Sequence, residues 1–200
     1  MIGGIASLAV PRPSRAAGRC FSRGRCDHCS SSVAAIIVLR GLPDNAWHFE
    51  RLLGLCGEVL EVCGDLGIEP RLSGSLAVFA YTGDHALEVH DIDLACSEAE
   101  FPRLLDAARE RGLEVVAKPW HVLQIHRDGL KVEFDAIEYW FRGLPADTVE
   151  LAVGGLHIPM VRLDVLRALY ERGVAAPDLV PERGSDLQLK LAALAQVAPT

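Results

Sequence analysis

No apolar run in this 200-residue chain approaches the eighteen or more residues that a membrane-spanning helix requires, so a transmembrane reading fails. Basic side chains are scarce in the body of the chain. Residues 1–40 hold six arginines and one acid, whereas the rest holds fourteen basic and twenty-six acidic residues, a balance of minus twelve. Sequence-independent contact with a nucleic-acid backbone rests on clustered lysine and arginine, and this distribution disfavours it. A small molecule, or a macromolecule touched locally, fits an acidic body better as a partner. The opening IGGIASLAV carries no charged region ahead of it and runs into PRPSR instead of a small-residue cleavage site, which argues against a secretory signal. Cys26 and Cys29, with His28 between them and Cys20 nearby, form one CxxC, but the second pair that would complete a zinc knuckle is missing.

Half of the residues are apolar and 24% are charged, a composition that suits one globular domain. Residues 1–32, rich in arginine, proline and small side chains, read as a disordered or non-native leader. Residues 33–173 read as the folded domain, and 174–200 as a linker and C-terminal helix. Cys56, Cys63 and Cys96 lie among apolar residues, where a free thiol behaves as a small hydrophobe; this usage points to a reducing cytoplasm.

Between Asp44 and Leu66 the residues Leu52, Leu53, Cys56, Val59, Leu60 and Cys63 recur at three- and four-residue intervals, with Asp44 as cap and Gly67 past the end. The spacing predicts a long amphipathic helix. A strand over 69–72 then leads to a Gly74-Ser75 turn and a brief helix over 76–81. Ser97 and Glu100 have capping-box spacing ahead of a helix reaching Gly112. Strands follow at 113–117, 121–127 and 130–138, and a hairpin turns at Gly154-Gly155 between 149–153 and 156–161. Asp164 is placed to cap a further helix ending near Gly173. The last helix, 185–197, either covers the core or forms a homodimer contact. This order predicts an α+β fold, a mixed sheet with helices mainly on one face and a small C-terminal helical region.

The chemistry gathers on two strands. In His90-Asp91-Ile92-Asp93-Leu94 alternation puts Asp91 and Asp93 on one face and Ile92 and Leu94 on the other. Two such carboxylates about 4 Å apart repel by roughly 4 kcal/mol at an effective dielectric near 20, a cost that a divalent cation between them turns into attraction. Hard oxygen ligands of this kind suit magnesium. His90 shares parity with Ile92 and Leu94, which reads as a partly buried structural histidine. In the second place, Asp128-Gly129 is the dipeptide of a two-residue hairpin turn. It sets Ile125 opposite Val132 and Leu123 opposite Phe134 on an apolar face, with His126 opposite Lys131 and Gln124 opposite Glu133 on a polar one. Glu133 and Asp135 thus share the polar face. Trp120, Tyr139 and Trp140 are aromatic candidates for stacking on a base, against the commoner role of filling a core.

The run LSGSLAVFAYTGDHALEVHDIDLAC resembles the signature of the nucleotidyltransferase superfamily, which includes DNA polymerase beta, the minimal nucleotidyltransferases and the aminoglycoside and lincosamide nucleotidyltransferases. The resemblance covers roughly residues 45–170. It implies a magnesium-dependent transfer of a nucleoside monophosphate from a nucleoside triphosphate to a hydroxyl acceptor, with two ions held by Asp91, Asp93 and a third acid. Asp135 is favoured for the third acid and Glu133 is the alternative, itself otherwise a surface partner for Lys131 or Arg127. Gly74 would admit the phosphate to the backbone and Ser75 would donate to it. One departure is clear: where minimal members carry an arginine soon after the turn, this chain reads Leu76-Ala77-Val78-Phe79. That gap favours the alternative of an inactive, antitoxin-like nucleotide-binding regulatory module.

Overall fold

The Asp128-Gly129 turn sets the register of the sheet's centre. Both residues adopt left-handed conformations, φ 50° and 76°, as a two-residue hairpin that follows the strand twist requires. They join β5 (Val122–Arg127) to β6 (Leu130–Ala136), in which Leu123 pairs with Phe134, Ile125 with Val132, Gln124 with Glu133 and His126 with Lys131, as the alternation predicts. Beside β6 runs β3 (Ile92–Cys96), parallel to it, with Ile92 opposite Val132 and Leu94 opposite Phe134. Two rows, Leu94-Phe134-Leu123 and Ile92-Val132-Ile125, are thereby buried almost completely. Each such side chain contributes about 1.5–3 kcal/mol on burial, so a one-residue slip that drove Glu133 and Asp135 into this layer is strongly disfavoured.

The computed structural model describes residues 35–39, 41–175 and 184–198. The chain divides into two units, Met1–Val33 and Ala34–Thr200, and all described residues lie in the second. The leader, with Cys20, Cys26, His28 and Cys29, falls outside the described residues. The remaining strands are β1 (Ile36–Val38), β2 (Arg71–Leu72), β4 (Glu114–Lys118), β7 (Thr148–Val153) and β8 (Leu156–Val161); together they form a mixed sheet in the order β1-β7-β8-β2-β3-β6-β5-β4. β1, which the sequence pattern did not announce, lies parallel to β7 at one edge.

Helix α1 (Ala46–Leu66) packs on β6 and on α3 (Phe101–Glu110), which also packs on β4 and β5. Gly67 ends α1 in the left-handed conformation at φ 68°, the expected stop. Its start differs from the expectation: Asn45 occupies the cap position, and its side chain serves Val89 instead of the helix, donating from Nδ2 to Val89 O at 2.8 Å and accepting from Val89 N at 3.4 Å. Val89 is buried, so its backbone groups would lose that partner away from the surface. Asn45→Ala is therefore expected to cost about 1–2 kcal/mol, a fall of roughly 2–8 °C in Tm, measurable by thermal denaturation. The Ser97–Glu100 capping box does not form. Ser97 Oγ donates instead to Glu138 Oε1, and Glu100 takes Arg103, because the chain beyond β6 brings a carboxylate closer than the helix's own turn does.

The other helices gather near the opposite, acidic face of β3. α2 (Gly74–Thr82) begins there, and α5 (Leu163–Ala175) and α6 (Gly184–Ala195) pack against each other and against α2. Asp164 lies inside the first turn of α5 and pairs with Arg162. A short α4 (Ile137–Trp140) replaces the predicted end of β6. No described helix is long and apolar enough to cross a membrane.

Candidate functional site

Because Ile92 and Leu94 are fixed inward, Asp93 projects from the other side of β3, directly opposite Glu133 on β6, while Asp135 stands one step along, opposite Ala95. The polar rows continue outward as Glu133 to Gln124 and Asp135 to Val122. All four predicted acids lie on or beside this one face, with Asp91 immediately ahead of β3. Register makes Glu133 the nearer strand neighbour of Asp93.

The glycine turn meets the acids at Asp93. Ser73, in the extended conformation before α2, donates its backbone N–H to Asp93 O at 2.8 Å. Gly74 follows at φ 66°, and a Cβ built on it would overlap the Asp93 carboxylate. A side chain is excluded here by contact and by conformation together. Ser75 is buried in the first turn of α2, where the opening N–H groups have no partner within the helix and favour an anion.

Charge at the site is unbalanced. Burial, then the charges of Asp91 and Glu133, push Asp93 up to about 7, and Lys190 and Lys131 only partly offset this. Lys131 Nζ stands 2.7 Å from Asp91 Oδ2 and 3.0 Å from Glu133 Oε2. Gln124 Nε2 donates to Glu133 Oε2 at 2.6 Å. Burial pulls Lys131 down, but the hydrogen bond and charge of Asp91, with Glu133, more than compensate and hold it above its ordinary value, so it is an ammonium. Lys190 of α6 is mostly covered and pairs with Asp186 at 2.7 Å. Tyr170 of α5 is buried, and its hydroxyl has no hydrogen-bond partner among the described residues. Burial first, then the charges of Asp93, Asp186, Asp135 and Asp91, raise it well above the ordinary phenol.

Among the described residues no three carboxylate, imidazole or thiol groups stand close enough to cage a metal ion by themselves. Magnesium needs no such cage, since one or two carboxylates plus substrate phosphates commonly hold it. Asp91 and Asp93, two hard donors beside a glycine turn and a helix start, fit that requirement.

Several sequence readings change. Glu133 is no surface partner: it is 4% exposed, and its lysine lies inside the site with it, while Arg127 pairs with Glu58 instead. His90 is exposed and pairs with Glu88 at 2.8 Å, because β3 begins only at Ile92 and the alternation does not reach it. Trp120 is exposed, and Tyr139 stacks on His121 with centroids 4.6 Å apart. Lys131, Lys190 and Tyr170 were not singled out beforehand as site residues. Lys131 was open to detection, since it shares parity with Glu133; the other two arrive by packing of distant helices.

No protein-family model and no curated protein matches this chain. Among solved structures it is similar to the antibiotic-resistance factor ANT(2'')-Ia in solution, with a TM-score of 0.54 and 13% identity over 71% of this chain and 81% of that one. A crystal structure of ANT(2")-Ia in complex with adenylyl-2"-tobramycin matches at TM-score 0.54 and 12% identity over 71% and 86% of the two chains. The lincosamide antibiotic adenylyltransferase LnuA, lincomycin-bound, matches at TM-score 0.51 and 12% identity over 72% and 96%. These likenesses show the fold expected from the sequence resemblance.

Proposed function

We propose that this chain, built on the nucleotidyltransferase fold, is a magnesium-dependent nucleotidyltransferase that moves a nucleoside monophosphate from a nucleoside triphosphate to a hydroxyl acceptor and releases pyrophosphate. The observation that carries the reading is the contact of Gly74 with the Asp93 carboxylate, which unites a phosphate-admitting turn and the acidic strands in one place. Asp91 and Asp93 would hold magnesium, with Asp135 or Glu133 completing the set. Bound magnesium would neutralise phosphate charge and orient the entering and leaving oxygens. The side chains do the rest. Gly74, lacking a side chain, lets the Asp93 carboxylate lie against the turn, and the first N–H groups of α2 and the Ser75 hydroxyl donate to the triphosphate oxygens. Asp135, with Glu133, receives the acceptor's proton as its oxygen attacks the α-phosphorus and the bond to the β-phosphate bridge breaks.

Incubation with magnesium, a cell extract as acceptor source, and triphosphate labelled at the α- or the γ-position tests this. Label is expected to reach an acceptor from the α-position and to leave as pyrophosphate from the γ-position. The absence of a basic residue after the turn supports a second reading, a nucleotide-sensing module without turnover. Under it, magnesium and triphosphate raise Tm, but no label moves.

A further inference from the structure

The cation between Asp91 and Glu133 belongs to the protein itself. Because β3 and β6 are parallel with Ile92 opposite Val132, Lys131 stands across from Asp91 and shares a face with Glu133, and its ammonium contacts a carboxylate on each side at 2.7 and 3.0 Å. It thus uses Asp91 Oδ2, a donor that the proposed metal site also requires. The two cannot share it on equal terms. Lysine is a compact charge on a flexible stem, without the bidentate fork that fixes arginine to a carboxylate, and its release needs only rotation about side-chain bonds. Nor would Glu133 be left bare, since Gln124 still donates to it at 2.6 Å.

A triphosphate, meanwhile, arrives with no basic side chain among Leu76, Ala77, Val78 and Phe79 to meet it. Lys190 is committed to Asp186. Resting on the proposed function, we infer that Lys131 is the site's own exchangeable counter-ion: it holds Asp91 and Glu133 together before metal binds and passes its charge to the triphosphate once metal takes the carboxylates. It is the cation that the segment after the turn does not supply.

Lys131→Met keeps the apolar stem and removes the charge; Lys131→Gln, which can still donate to Glu133, guards against a folding defect. Manganese binding without nucleotide, followed by electron paramagnetic resonance, is expected to tighten about tenfold in both variants, the scale of one largely covered ion pair in an affinity. Calorimetric binding of a non-hydrolysable triphosphate with manganese is expected to weaken about tenfold. These opposite signs are what a merely structural lysine would not give. Manganese affinity unchanged or weakened in both cooperatively melting variants overturns the inference, as does a tightened manganese site with unaltered triphosphate affinity. If wild type and variants bind both ligands equally, only the role of Lys131 falls. If wild type binds neither, the nucleotidyltransferase reading falls with it.

Discussion

Asp93→Asn is expected to abolish nucleotidyl transfer while making the protein more heat-stable in a chelating buffer. The loss follows from its place: Asp93 is the acid that touches the glycine turn, and without its charge a metal–triphosphate loses the donor nearest the phosphate path. A fall of about 10³-fold or more in transfer is the scale for removing one such electrostatic group. The gain follows from the same geometry. Burial first, then the charges of Asp91 and Glu133, oppose the Asp93 carboxylate, and its folded value is raised to about 7 from an ordinary 3.8. A carboxyl that binds its proton more tightly in the folded state stabilises the fold when protonated and opposes it when ionised. Wild-type stability should therefore decline between about pH 4 and pH 7 by this contribution, and the asparagine variant should escape that decline. The expected gap in Tm is absent near pH 4 and grows to several degrees above pH 7, the difference between 3.8 and about 7 amounting to a few kcal/mol. Denaturation across pH with chelator present checks it, and equal melting at every pH would show that neither burial nor its neighbours' charges oppose the Asp93 carboxylate. Such exchange of stability for activity is common at functional sites.

Gly74→Ala is expected to carry the largest stability cost among these variants, about 2–4 kcal/mol, with loss of transfer in whatever fraction still folds. Two penalties combine: an alanine at φ 66° is strained, and its methyl overlaps the Asp93 carboxylate. Gly67→Ala separates them. Gly67 has nearly the same φ, 68°, but open space around its Cβ position. It should cost only about 1 kcal/mol and leave transfer unchanged. Chemical denaturation of the three proteins, with label transfer measured on each, compares them. Equal costs for the two alanines would mean that the contact of Gly74 with Asp93 contributes nothing.

Much of this was legible because short-range chemistry and alternation agree. Asp128-Gly129 fixes a hairpin whose register follows by counting, and that register places Glu133 and Asp135 beside the strand of Asp93 once β3 and β6 pair. Gly67 and the Gly154-Gly155 hairpin were readable for the same reason, since each relieves a local backbone demand. What escaped is non-local. Asp44 and Ser97 read as helix caps, yet the cap position of α1 falls to Asn45, and Asn45 and Ser97 both spend their side chains on partners more than forty residues away. β1 is three residues long, too short for a periodicity to show, and exists by pairing with β7. Tyr170 and Lys190 reach the acids only through the packing of α5 and α6, which no spacing within either helix encodes. The choice between Asp135 and Glu133 was open for a further reason: alternation puts both on one face, and only the pairing with β3 shows which lies opposite Asp93.

The account stands on the acids and the glycine turn acting as one metal–nucleotide site, and calorimetric titration of the full-length protein with a non-hydrolysable triphosphate tests this most directly. Saturable binding is expected that requires magnesium, is lost in both Asp91→Asn and Asp93→Asn, and is lost again when chelator is added. Binding that persists without the metal, or survives both substitutions in folded protein, would contradict it.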